Sequence, residues 1–181
     1  MKKLLLVLVV FAIAGGAAFA YDPLGYPPPV DGGNLLIDAG LGLRGMGNSS
    51  AKWKVPPLFL HVEYALPVGV PISVGGMFAF YQYAWKPSGN EYTWTDMNIA
   101  ARGNWHFGFN VDWLDFYTGI SLGYTVSNVK VKPSNVNYNT NYGGFYFSYQ
   151  VGAHFYFTKM IGVMVETGFP YWLKAGVAFK I

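Results

Sequence analysis

The residues able to carry chemistry are few and widely spaced. Asp38, Arg44, Glu63, Asp96, Arg102, Asp115, Glu166, Lys174 and Lys180 are scattered along the chain, as are its three histidines, His61, His106 and His154. Carboxylates and imidazoles do general acid–base work or hold a metal only when the fold makes them converge. No local pattern supplies that convergence. Neither H-x-x-x-H nor H-E-x-x-H occurs, and with no Cys there is no thiolate site and no disulfide framework. No catalytic, cofactor-binding or metal residue is therefore assigned. The histidines are expected to act as members of a hydrogen-bond network.

What positions these residues is alternation. The last stretch shows it best: Leu173, Ala175, Val177, Phe179 and Ile181 are apolar at every second position, with Lys174, Gly176, Ala178 and Lys180 between them. That period belongs to a strand with one apolar face and one face carrying charge. A strand at this place is expected to seal against the first strand of a closed sheet. The same alternation recurs at 35–44, 58–66, 72–81, 96–107, 114–125, 145–157 and 161–168, which makes eight strands with 171–181.

Ahead of them, residues 1–20 read as a secretory signal peptide. Lys2 and Lys3 precede an apolar run, Leu4 to Ile13, and Ala18-Phe19-Ala20 supplies an A-x-A cleavage site. The run is too short to span a bilayer as a helix. Residues 21–33, with Pro27-Pro28-Pro29, read as an extended lead-in. Residues 34–181 form the barrel. Without Lys2 and Lys3, ten bases face nine acids, so the formal charge of +3 gives no reason to expect nucleic acid as a partner.

Two regularities fix the class. Every charged residue within the strands falls on the face opposite the large apolar side chains, the reverse of a soluble barrel or sandwich. The chain is 52% hydrophobic and 19% aromatic but only 12% charged, so the apolar faces must meet lipid and the charged faces a crowded lumen. The connections also alternate: 45–57, 84–93 and 128–144 are long, while 67–71, 110–113 and 158–160 are short. Transmembrane barrels pair short periplasmic turns with longer outer loops. Aromatics near the strand ends, namely Tyr64, Trp94, Trp105, Phe107, Trp113, Phe116, Phe155, Phe157, Tyr171 and Trp172, are expected to form two interfacial girdles.

On these features residues 34–181 resemble the eight-stranded outer-membrane barrels of the OmpA, OmpX and OmpW kind. The expected fold is an all-β, eight-stranded antiparallel up-and-down transmembrane β-barrel in the bacterial outer membrane, as a monomer. The resemblance implies handling by the barrel-assembly machinery, although members commonly end on an aromatic residue and this chain has Phe179 two positions before Ile181.

Inside such a barrel, Asp38, Glu63, Arg102, Glu166 and Lys174 fall at similar depth and are expected to pair into a plug. Outside, Lys52, Trp53, Lys54, Lys86, Lys130 and Lys132 crowd the long-loop side against Glu91 alone, with Trp85, Tyr92 and Tyr138 interleaved. They are candidates for binding outer-membrane lipid, lipopolysaccharide or a surface ligand. The expected function is structural or surface-binding, adhesin-like. The alternative, implied by the OmpW-like resemblance, is a conduit for small hydrophobic molecules, with Gly40, Gly42, Gly75, Gly76, Gly119 and Gly123 leaving room inside. A lipid A-modifying enzyme fits less well, because Ala153-His154-Phe155-Tyr156-Phe157 lacks the H-x-S pattern of the deacylases that it would resemble.

Overall fold

In the computed structural model the described residues are 26–43, 51–87, 90–132, 139–168 and 171–181. The signal segment, residues 21–25, Arg44, Tyr138 and the Phe169-Pro170 corner lie outside them. The order is β1 (Leu35–Leu43), β2 (Lys52–Ala65), β3 (Ile72–Trp85), β4 (Glu91–Phe107), β5 (Leu114–Lys132), β6 (Asn139–Tyr156), β7 (Ile161–Gly168) and β8 (Tyr171–Lys180). Each strand pairs antiparallel with its neighbours and β8 closes on β1, Ala39 opposite Val177.

The register gives the geometry. A walk along paired residues from Phe155 passes Val163, Val177, Ala39, Leu60, Phe78, Ile99 and Tyr124 and returns to β6 at Phe145. The walk thus climbs from position 155 to position 145 on one strand. Over eight strands that stagger tilts the strands by about 40°. Every residue on the walk is hydrophobic and faces outward, the most exposed being Phe145 at 83% and Ile99 at 65%. In water such a belt would be far larger than the patches that soluble monomers tolerate, and it faces lipid instead. The charges lie within: Asp38, Glu63, Asp96, Arg102, Asp115, Glu166 and Lys174 are all buried.

The strands outrun the alternation. The expected loop 45–57 is already strand from Lys52, β3 and β4 leave only 86–90 between them, and β5 and β6 run to Lys132 and from Asn139 through the expected loop 128–144. Backbone ladder bonds continue wherever two chains lie side by side, whereas the apolar period marks only the part that lipid touches. Above that part, on β2–β5, polar residues such as Thr93, Thr95, Asn128 and Lys130 turn outward while Trp53, Tyr83, Trp94 and Val129 turn inward, so the period is inverted. Pro56 and Pro57 do not break β2, because the register shifts around Val55 absorb them.

Two girdle assignments change. Trp94 stacks on Tyr83 at 5.2 Å between ring centroids, on the inward face, and Tyr171 is 1% exposed. With Trp53, Phe59 and Tyr81 they bring aromatic rings from β2, β3, β4 and β8 into the upper lumen.

Residues 26–33 are more than a lead-in, since they cross the end of the barrel that carries the short turns. Val30 packs with Leu36 and Ala65, Gly33 N–H donates to Ala65 O, and Lys180 Nζ donates to Pro29 O. The strap lies so close that a Cβ on Gly108 would sit 2.2 Å from Pro27 O. Proline carries no N–H, so this segment crosses the strand ends with fewer donors to satisfy.

Candidate functional site

Seven of the eight strands contribute to one polar network in the lower lumen, and the eighth, β3, adds Ser73. Arg102 is its hub. Its Nη2 donates to Glu166 Oε2 at 2.5 Å, and Nη1 lies 3.0 Å from His61 Nδ1. Its Nε approaches Glu63 Oε1 to 2.7 Å, an ion-pair contact out of line for a hydrogen bond. Lys174 pairs with Glu166, which also accepts from Tyr117 Oη at 2.9 Å. Glu63 accepts from Ser73 and from Asn104 Nδ2 at 2.7 Å. Gln150 extends the network upward, donating to Asn104 Oδ1 at 2.8 Å and accepting from Ser121 at 3.0 Å.

Of the five expected plug residues, four form one ion cluster: Glu63, Arg102, Glu166 and Lys174. Asp38 stands apart, 3.6 Å from His61 Nδ1 and 3.2 Å from His154 Nε2, so the histidines link it to the rest. Spacing within the strands placed Asp115 on the inward face but not among the plug residues; it accepts from both His106 and His154 at 2.9 Å. Tyr117 reaches Glu166 because Gly152 leaves room for its ring: a Cβ there would meet the ring at 2.4 Å.

Hydrogen-bond chemistry settles where two protons sit. His154 faces carboxylates with both ring nitrogens, and carboxylates only accept, so both nitrogens must carry protons. His61 Nδ1 lies between the Arg102 guanidinium at 3.0 Å, which only donates, and the Asp38 carboxylate at 3.6 Å, which only accepts, so this ring stands between a cation and an anion.

The convergence that the sequence left open does occur, and it resembles two kinds of active site. Ser73 Oγ lies 2.9 Å from His106 Nε2 and His106 Nδ1 lies 2.9 Å from Asp115, the spacing of a hydrolase triad. Yet Ser73 is wholly buried and its hydroxyl also meets the Glu63 carboxylate, so its single proton has a competing acceptor. Asp38, His61 and Glu63 likewise place one donor atom each within 4.8 Å of one another. The Arg102 guanidinium already lies against both His61 and Glu63, which puts a cation where a metal would bind.

On the outer side, Lys52, Lys54, Lys130 and Lys132 belong to strands, and Lys86 follows β3 directly. Lys52 pairs with Ala84, Ala84 with Thr93, Thr93 with Lys130, and Glu91 with Lys132. All lie on the outward face, whereas Trp53, expected beside them, points inward against Tyr81 and Tyr83. Lys54 donates to Glu91 and to Thr93 Oγ1 at 3.0 Å, and Lys86 Nζ is 2.8 Å from Glu91. Hydrogen bonds from Lys54 and then Lys86 hold the Glu91 carboxyl at about 2, below the ordinary carboxylate range. Lys52, Lys130 and Lys132 make no ion pair among the described residues.

No family model matches the chain, and no curated protein matches it. Solved structures do. OprG, an outer membrane protein of Pseudomonas aeruginosa, is similar at a TM-score of 0.59 and 10% identity, over 86% of this chain and 99% of that one. Ail, the attachment invasion locus protein of Yersinia pestis, solved in complex with the heparin analogue sucrose octasulfate, is similar at a TM-score of 0.50 and 12% identity, over 83% of this chain and 96% of that one. At such identities the likeness is one of fold, and with the lipid-facing belt and charged lumen it makes this chain an eight-stranded β-barrel of the outer-membrane type.

Proposed function

We propose that this outer-membrane barrel is a surface-binding protein, closed to solutes and presenting lysines on its outer half to a ligand rich in sulfate or phosphate. The observation that carries the reading is the outward set Lys52, Lys54, Lys86, Lys130 and Lys132, with Glu91 as the lone acid on that side. Such a field attracts polyanions and weakens with salt. Further support comes from Ail, a barrel of the same fold seen with a sulfated sugar, although likeness of fold alone transfers no ligand. On a heparin-type column in detergent, the folded protein is expected to be retained and to elute as salt rises. Replacing the five lysines by glutamine should abolish retention, and unchanged elution of that variant would refute the reading.

The conduit alternative has less support, since Gly40, Gly75, Gly119 and Gly123, expected to leave room, are each closely approached by a neighbour. A Cβ on Gly40 would meet Ala175 O at 2.2 Å and one on Gly123 would meet the Tyr146 ring at 2.5 Å. We read the triad-like trio as structural, not catalytic. A fluorophosphonate probe is expected to leave Ser73 unmodified, and labelling that Ser73→Ala removes would reverse this judgement.

A further inference from the structure

The lysines point sideways. Lys52 and Lys130 share an outward row with Ala84 and Thr93, and Lys132 shares the next with Glu91, so these side chains leave the wall and do not stand on the rim facing up. Directly below them on β5 the same face carries Val126, Tyr124, Leu122 and Ile120, all exposed. Between the two zones runs a polar row, Gln82, Thr95 and Asn128, in which Gln82 Nε2 donates to Thr95 Oγ1 at 2.8 Å. Lys130 thus stands four residues above Val126, about 13 Å along the tilted strand. The wall of β2–β5 therefore reads, from below upward, as hydrocarbon, polar boundary, then cation.

We infer that this wall binds the phosphate groups of a glycolipid in the outer leaflet of the protein's own membrane, with the acyl chains against the apolar column and the phosphates against Lys52, Lys130 and Lys132. This deepens the surface-binding reading and rests on it for the lysines' role, but it names a different partner: a neighbour in the plane of the membrane, not a molecule from outside. Three features favour that partner. The cations are continuous with a lipid-facing surface, so one amphiphile can satisfy both zones. Glu91 fixes Lys54 and Lys86 against the wall and leaves Lys52, Lys130 and Lys132 to an external anion. The other acid of this half, Asp96, is buried in the lumen, so among the described residues no further carboxylate on the outward face competes for the phosphates.

The test uses the full mature chain in bilayer nanodiscs of phospholipid mixed with either a bis-phosphorylated diglucosamine lipid or its dephosphorylated counterpart. Glycolipid retained by the barrel on transfer to detergent is weighed by native mass spectrometry. The barrel is expected to retain the phosphorylated form preferentially. The variant Lys52→Gln, Lys130→Gln, Lys132→Gln should lose that preference on the order of tenfold or more, whereas arginine at the same positions restores it. Lys159→Gln, at the opposite end, should retain it. Heat-dependent gel migration shows that each variant is folded. Equal retention of both lipids by the parent chain, or an unaltered preference in the glutamine variant, overturns the inference. Should the glutamine variant lose heparin retention yet keep its glycolipid preference, the surface-binding reading stands and this inference falls. The converse result sustains the in-plane partner and removes the soluble one.

Discussion

Replacing Arg102 by methionine is expected to destabilise the barrel by about 3–5 kcal/mol, since it leaves carboxylates in the lumen without the cation that holds them there. Arg102 is 4% exposed and touches Glu63, Glu166 and His61 at once. Without it Glu63 keeps only Ser73 and Asn104, neutral donors, while Glu166 still has Lys174. The loss should therefore trace mainly to Glu63. Urea titration in detergent, read by the gel shift between folded and unfolded forms, measures it. The double variant Arg102→Met, Glu63→Gln should recover more than half of the lost stability, because it removes the stranded charge together with its partner. A single variant within about 1 kcal/mol of the parent chain would mean that the lumen is wet enough to solvate Glu63, and the plug would lose its physical basis.

The second large effect concerns conductance. Arg102 on β4 meets Glu166 on β7, and Lys174 on β8 lies over the Phe59 ring of β2 at 6.0 Å, so the cluster bridges the lumen from wall to wall. An eight-stranded interior is only wide enough for side chains to fill, and here they fill it. In planar bilayers the parent protein should show little steady current. Changing Glu63, Arg102, Glu166 and Lys174 together to serine removes charge of both signs, so no ion is stranded, and replaces the bridge with small hydroxyls around which water fits. Discrete ion-conducting steps are expected from that variant. If it folds and stays silent, closure belongs to the proline strap under Gly108 or to the aromatic layer of Phe59, Tyr81 and Tyr171, not to the ion cluster.

Residues 173–181 show why the architecture was legible in the linear chain. Lys174 and Lys180 alternate with Leu173, Ala175, Val177 and Phe179, and a strand of period two turns that spacing directly into inside and outside. Closure followed in the same way, and β8 does seal on β1. The upper wall was not legible. Between Asn128 and Lys132 the polar residues turn outward and Val129 and Val131 turn inward, so the alternation persists with its faces exchanged and no longer marks charge as inside, although the ladder to β4 continues to Glu91.

The candidate site divides along the same line. That Asp38, Glu63, Arg102, Glu166 and Lys174 turn inward at comparable depth is a property of period and distance from the turns, both of which are local. Who meets whom is not local. Arg102 and Glu166 are 64 positions apart and His154 and Asp38 are 116 apart, so their contact depends on the stagger accumulated around all eight strands. The sequence alone determined an inverted barrel, apolar outside and charged within, because side-chain alternation needs only neighbouring residues. Only the tertiary structure decided that Asp115 joins two histidines, that Asp38 stands outside the ion cluster, and that the lysines face sideways, because register is a relation between strands and no single strand contains it.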